Sequence, residues 1–327
     1  MKKRALDRPV YVGIGEDIID FEPIRAVTII LQTSGCHWRR CKICNYYLDA
    51  APISTPPTDA DLISQIKYAI SRFPEEDFMI KIFTSGSFFD RREISEGLQK
   101  KLIEHLLQNR TKKLIIESRP EFVTPEAIKP VTEMFENFEV AIGLETTSDE
   151  IRKDSIDKGF SFDDFKRAVE VANDNGAGVR TYLLLKPPYL TEREAIDDII
   201  KSANDLLPYT KTISLNLTTV REHTQLYDLW RMGCYRPPWL WSALDIMKRI
   251  REDVRFRDIA IISDPIAAGK PWGPHNCKKC DKLVKDAIRH FSITQNVDDL
   301  IGIDCGCRKL WEKVLELEKF THGVPLP

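Results

Sequence analysis

Three cysteines lie close together behind an apolar run: Cys36, Cys41 and Cys44, in Thr28-Ile-Ile-Leu-Gln-Thr-Ser-Gly-Cys-His-Trp-Arg-Arg-Cys-Lys-Ile-Cys. A structural zinc is closed by four ligands, whereas this loop offers three thiolates. Three thiolates suit three corners of a four-iron, four-sulfur ([4Fe-4S]) cluster. The fourth iron then stays open to a substrate or cofactor, and an open metal position supports chemistry. A zinc site that borrows His37 is the alternative for the same residues.

A second group pairs Cys277-x2-Cys280 with Cys305-x-Cys307. Four thiolates in two short-spaced pairs suit a closed tetrahedral zinc, with Lys278 and Lys279 offsetting its negative charge. A second iron–sulfur cluster and four buried thiols are the alternatives, and His275 could replace one ligand. Cys234 lies outside both groups and reads as a packed free thiol. Met1-Lys-Lys-Arg has charge but no apolar core behind it, so no secretory signal is expected. Eight cysteines then imply a reducing, cytoplasmic setting and metal ligation rather than disulfides.

The elements that must hold these residues alternate along the chain. Strands are expected at Ala26–Leu31, Phe78–Phe83, Lys113–Ile116, Glu139–Leu144, Val179–Leu185 and Thr212–Leu217. Helices are expected at Asp59–Ser71, Glu93–Gln108, Pro125–Phe135, Phe162–Asn175, Glu192–Leu206 and Leu240–Ile250. Thr58 and Thr191 read as N-caps with acidic first turns, and Asn175-Gly176 as a helix stop. Repeated strand–helix units imply the α/β class: a full or partial (β/α) barrel of parallel strands, or a doubly wound sheet. Active residues then collect at the C-terminal strand ends, where the first cysteine loop already sits. Beyond residue 264 a Pro- and Gly-rich link leads to a small C-terminal cysteine-rich metal module. The expected organisation is an extension over 1–25, a barrel over 26–264 and the module over 265–327.

Composition narrows the function classes. The 327 residues are 43% hydrophobic and 30% charged, as in ordinary globular chains, and the net charge is -2. No basic field spans the chain, so RNA contact needs a local patch or a partner. No apolar stretch approaches a membrane span, so no membrane association is expected.

The Cys-x4-Cys-x2-Cys loop after a strand resembles that of radical S-adenosylmethionine (SAM) enzymes. Their commonest loop has three residues between the first two cysteines, and Ile43 stands where an aromatic is frequent. The order Gly35-Cys36, Phe83-Thr-Ser-Gly-Ser-Phe-Phe-Asp90, Ile116-Glu-Ser-Arg-Pro-Glu121, Ile142-Gly-Leu-Glu-Thr146 and Ile156-Asp-Lys-Gly159 resembles the Elongator-catalytic-subunit branch, and within it the archaeosine-forming enzymes. The resemblance implies a [4Fe-4S] cluster on Cys36, Cys41 and Cys44, and SAM cleaved reductively to a radical that abstracts hydrogen. Ser85, Gly86 and Ser87 would replace the usual Gly-Gly-Glu and meet the SAM ammonium through backbone carbonyls. Glu117 and Glu145 are candidates for polar cofactor contacts, and Arg119 or Arg180 for the SAM carboxylate. A plain turn at 85–87 and solvated strand ends at the two glutamates are the alternatives.

The resemblance further implies a substrate: tRNA whose D-loop carries a lysine adduct of the 7-deazaguanine preQ0. An ArcS-like protein partner attaches the lysine, and the radical enzyme cleaves a C–N bond to leave the amidine of archaeosine. An electron donor is also implied. Candidate tRNA-facing residues are Arg231, Tyr235, Arg236, Trp239 and Trp241, with His37, Trp38, Arg39 and Arg40 on the loop rim. Packing against the last barrel helix is the alternative for the first group, and screening of cluster charge for Arg39 and Arg40. Two other functions stay open: a radical SAM enzyme of another tRNA substrate, such as a methylthiotransferase, and a non-catalytic zinc-binding adaptor.

Overall fold

The computed structural model describes residues 5–52, 54–107, 110–321 and 324–325. Gln108, the expected end of the second helix, and the opening Met1–Arg4 lie outside these residues. The chain begins with a hairpin of β1 (Tyr11–Ile19) and β2 (Glu22–Ile30), paired antiparallel. There follow α1 (Asp59–Ile70), β3 (Phe78–Phe83), α2 (Glu96–Leu106), β4 (Thr111–Glu117), α3 (Pro125–Thr132), β5 (Phe138–Glu145), the one-turn α4 (Asp149–Ile151), α5 (Phe162–Asp174) and β6 (Gly178–Leu185). The series continues with α6 (Glu192–Asp205), β7 (Thr212–Leu217), α7 (Gln225–Arg231), α8 (Leu240–Glu252), β8 (Ala260–Ile262), α9 (Asp281–Thr294) and α10 (Arg308–Leu317).

The strands lie in chain order, β1-β2-β3-β4-β5-β6-β7-β8. Pairing from β2 through β5 and between β7 and β8 is parallel. The order is open at β1 and β8, which is the partial form of the expected barrel. All six expected strands are present. Phe78, Met79, Ile80 and Ile82 of β3 are fully buried, as a parallel strand covered on both faces requires.

Two strands were not expected. β1 reads Tyr-Val-Gly-Ile-Gly-Glu-Asp-Ile-Ile and is largely solvent-facing, so it lacks a continuous apolar run. Its two-residue turn, Asp20-Phe21, has both φ values positive, at 49° and 68°. That geometry usually advertises itself as Asn-Gly or Asp-Gly. β8 is three residues long, below what periodicity resolves. The stretch expected as an extension thus contributes a strand.

The expected caps form. Thr58 N–H donates to Asp61 Oδ2 at 2.8 Å while Asp61 N–H donates to Thr58 Oγ1 at 3.2 Å. Thr191 and Glu194 repeat the arrangement at 2.8 and 3.2 Å. Gly176, at φ 81°, ends α5, with the Ala177 N–H turning back to Ala172 O at 2.9 Å.

The chain groups into two compact units. One comprises Met1–Arg39, Tyr46–Gly143 and Asp163–Arg180; the other Arg40–Asn45, Leu144–Phe162 and Thr181–Pro327. The second unit buries a charge cluster at the end of β6. Lys186 Nζ lies 2.8 Å from Glu192 Oε2 and 3.6 Å from Glu318 Oε1. Glu318 Oε2 also accepts the Glu192 N–H at 2.5 Å, and Glu192 Oε1 accepts from Trp239 N–H and Ser242 Oγ. Each buried charge there has an opposite partner, which such burial demands. Among the described residues, no helix is long and apolar enough to cross a membrane.

Candidate functional site

In the first unit, the turns after β2 and β3 are stitched together through one carboxyl group. Thr33 Oγ1 donates to Glu93 Oε2 at 2.6 Å, and the Ser87 N–H donates to Glu93 Oε1 at 2.7 Å. The Cys36 N–H donates to Ser85 O at 2.9 Å. Gly86 sits between them: a Cβ there would lie 1.8 Å from Glu93 Oε1 and 2.6 Å from Cys36 N, so only glycine fits. Burial pushes the Glu93 carboxyl up to about 7, against the lowering effect of its bonds from Thr33 and Ser87.

The loop past Cys36 is held by its own side chains. Arg39 donates from Nε to Cys36 O and from Nη2 to Ser34 O, both at 2.8 Å. His37 Nδ1 lies 3.1 Å from Asp90 Oδ2, and Arg92 makes a two-pronged contact with the same Asp90 carboxylate. None of Cys36, Cys41 and Cys44 is in a disulfide, and all three are half-buried.

The expected cofactor residues fare unequally. Ser85 O is used by Cys36, and Ser87 O accepts the Asp90 N–H at 3.0 Å. Two of the three turn carbonyls are therefore engaged within the protein. Ser87 Oγ accepts the Arg119 N–H at 3.1 Å, which joins the ends of β3 and β4. The Arg119 guanidinium bonds Glu121 at 2.6 Å and stands 5.6 Å from the Trp38 ring centroid. Glu117 O accepts the Phe88 N–H at 3.2 Å.

Arg180, the third residue of β6, is fully buried. Its guanidinium reaches Asp17 Oδ2 at 2.8 Å and Glu139 Oε2 at 3.3 Å; Lys81 and Lys113 complete the network at 2.9 and 2.7 Å. Burial works to raise the Asp17 pKa, but Arg180 and Lys81 hold it well below the usual carboxylate range.

In the second unit, Glu145 has φ 70° and is ion-paired with Lys158. Arg152 donates to the carbonyls of Leu144 and Thr146 on either side of it. The segment with Cys41 and Cys44 is pinned here too. Lys42 N–H donates to Ile156 O at 2.8 Å, Leu226 N–H donates to Lys42 O at 3.1 Å, and Arg40 pairs with Asp157 at 3.1 Å.

Among the described residues, the only group of three or more Cys, His, Asp or Glu ligand atoms within 4.8 Å of one another is Cys277, Cys280, Cys305 and Cys307. Its sulfurs are 3.7 Å apart from 277 to 280, 3.7 Å from 277 to 305, and 3.5 Å from 280 to 307. Four thiolates at ~2.3 Å around one tetrahedral ion stand about 3.8 Å apart. The spacing therefore matches a single ion. Trp241 Nε1 donates to Cys307 Sγ at 3.3 Å and Asn276 Nδ2 to Cys280 Sγ at 3.4 Å, the outer bonds that steady metal thiolates. Burial pushes the Cys280 thiol up, whereas hydrogen bonds to Cys277 outweigh its burial and bring it down to about 7. His275 Nδ1 is 2.8 Å from Gly273 O, outside the quartet.

The structure also redistributes the expected RNA-facing side chains. Tyr235, Trp239 and Trp241 are buried, and Arg236 bonds the carbonyls of Pro237 and His275. These four pack the second unit, while Arg231, His37, Arg39 and Arg40 are exposed and Trp38 is half-buried. Cys234 is exposed rather than packed. Sequence reasoning did not find Thr33, Asp90, Glu93 or Asn276. Glu93 read as the first turn of a helix that in fact starts at Glu96.

Comparison with known proteins places this geometry among relatives. A family model described as the radical SAM superfamily matches residues 30–203. The chain is 42% identical to "Archaeosine synthase subunit beta" of Methanosarcina acetivorans, over 100% of this chain and 95% of that protein. It is 38% identical to the protein of the same name from Thermococcus kodakarensis, over 92% of this chain and 95% of that protein. Among solved structures, an N-terminally deleted Elp3 from Methanocaldococcus infernus is similar in fold, with a TM-score of 0.51 and 18% identity over 81% of this chain and 63% of that one.

Proposed function

The chain belongs to the radical SAM superfamily, and from that premise we propose that it is the radical SAM subunit of an archaeosine-forming, tRNA-modifying enzyme. The observation that carries the reading is end-to-end similarity to an archaeosine synthase beta subunit, 42% identity over 100% of this chain. Membership implies a [4Fe-4S] cluster and SAM, and the name subunit beta fits a multi-subunit complex.

The residues present suit that cluster: three half-buried thiols outside any disulfide, on a loop whose carbonyls are tied down by Arg39. Cys36, Cys41 and Cys44 would hold it. Ser85, Gly86, Ser87, Glu117, Arg119 and Glu145 are proposed to line the SAM site. A bound cluster with SAM supplies hydrogen-atom abstraction from an unactivated carbon. The protein's own part is to orient. Glu93 locks the turn at 85–87 to Thr33, Ser85 holds the Cys36 amide, and Arg119 is set in place by Ser87 and Glu121.

The proposed substrate is tRNA bearing the lysine adduct of preQ0, in which a C–N bond is cleaved to leave archaeosine. An ArcS-like partner would supply the adduct and much of the tRNA affinity, since this chain has a net charge of only -2. A separate electron donor would reduce the cluster. The C-terminal quartet is proposed to hold structural zinc, which the single-ion spacing supports.

Anaerobic incubation with SAM, a reductant and tRNA carrying the adduct, followed by nucleoside mass analysis, tests the reading. Archaeosine is the expected product. SAM cleavage without any change in that nucleoside would sink the substrate assignment.

A further inference from the structure

We propose that Tyr189 is a stacking platform for a nucleobase of the tRNA. The proposal rests on the function proposed above. Tyr189 ends the Lys186-Pro187-Pro188-Tyr189 segment that follows β6, so it lies at the strand end where this architecture places chemistry. Residues 183–188 and Leu190 are buried, yet Tyr189 is 53% exposed. A lone exposed tyrosine is commonplace; this one is held in place at a cost.

Its backbone has φ 70°, a region that bulky side chains avoid. Strain of this kind persists only where surrounding contacts impose it. Those contacts come from two other segments of the same unit. Gln225, the first residue of α7, donates from Nε2 to the Tyr189 hydroxyl at 3.1 Å. Lys42 Nζ stands 5.6 Å from the ring centroid and is itself fixed by a 2.6 Å bond to Asp154 O. The Lys42 main chain is pinned on both sides, by Ile156 O and by the Leu226 N–H. Strain, a hydrogen bond and a fixed cation thus orient a ring that buries little of itself.

A rigid aromatic beside a cation is what an unpaired base requires: a face to stack on and positive charge for the phosphate. Lys42 lies between Cys41 and Cys44, so the ring is braced by the same loop that supplies two proposed cluster ligands.

The test compares wild type, Y189F, Y189L and Y189A in the iron-loaded protein. Labelled tRNA carrying the lysine adduct is titrated for binding, and KM is separated from kcat. Iron content and melting temperature serve as folding controls. Y189F keeps the ring and is expected to bind within about twofold of wild type. Y189L keeps apolar bulk without a π face, and it should lose about ten- to hundredfold in tRNA affinity, as Y189A should. Wild-type affinity in Y189L overturns the proposal. So does a Y189L that binds tRNA normally but assembles poorly with its partner subunit, which would make the ring a protein contact. Loss of iron in Y189L would make it a structural brace and would equally overturn the proposal. If wild type itself neither binds nor converts this tRNA, the function proposed above fails first and this inference falls with it.

Discussion

Glu93 is the side chain on which the loop geometry turns, because Thr33 and Ser87 both bond to its carboxyl. Its pH behaviour follows from its burial. The ordinary value is 4.5 and the folded value about 7, so below pH 4.5 both folded and unfolded chains are protonated and nothing is lost. As pH rises from 4.5 through 7 the unfolded chain ionises first, and stability falls by up to about 3 kcal/mol. Glu93→Gln removes this dependence. Denaturation at pH 5 and pH 8 should show wild type losing stability relative to the variant at the higher pH, and a constant difference would refute the account. The grouping of Cys277, Cys280, Cys305 and Cys307 was legible because ligand type and short spacing are local properties. Glu93 was not, because its role comes from contacts 60 and 6 residues away. Tyr235, Trp239 and Trp241 stayed open between two readings for the same reason, since an aromatic run reads alike whether it faces RNA or a core; their burial agrees with the packing alternative.

At the scale of elements, β1 is the piece that sequence patterning missed, and buried charge is what fastens it. Asp17 of β1 bonds Lys81 of β3 and Arg180 of β6 within the first unit. Arg180→Leu would leave Asp17 and Glu139 buried with fewer partners, at a cost of about 3–5 kcal/mol. Urea denaturation should show that loss, while SAM affinity of the folded protein stays near wild type. A stable variant with weakened SAM binding would restore Arg180 as a cofactor clamp. The parallel strands were legible because strands buried on both faces, such as β3, must be continuous apolar runs. β1 has Gly13, Gly15, Glu16 and Asp17 in its middle, and pairing rather than composition makes it a strand.

For the whole molecule, the quartet of Cys277, Cys280, Cys305 and Cys307 joins the segment before α9 to the segment before α10. A metal there contributes folding energy outright. Cys305→Ser should lower zinc content and melting temperature while leaving loop-bound iron in place, as measured by elemental analysis and calorimetry. Iron and sulfide at the quartet instead of zinc would overturn that assignment. The ion pairs of Glu318 carry a practical consequence for anyone handling the chain. Shortening the C-terminal tail to a point before that residue, or fusing a bulky affinity handle against it, would strip Lys186 of a counter-charge three positions before Tyr189. Damage at the far end of the gene product would then masquerade as a defect in substrate recognition.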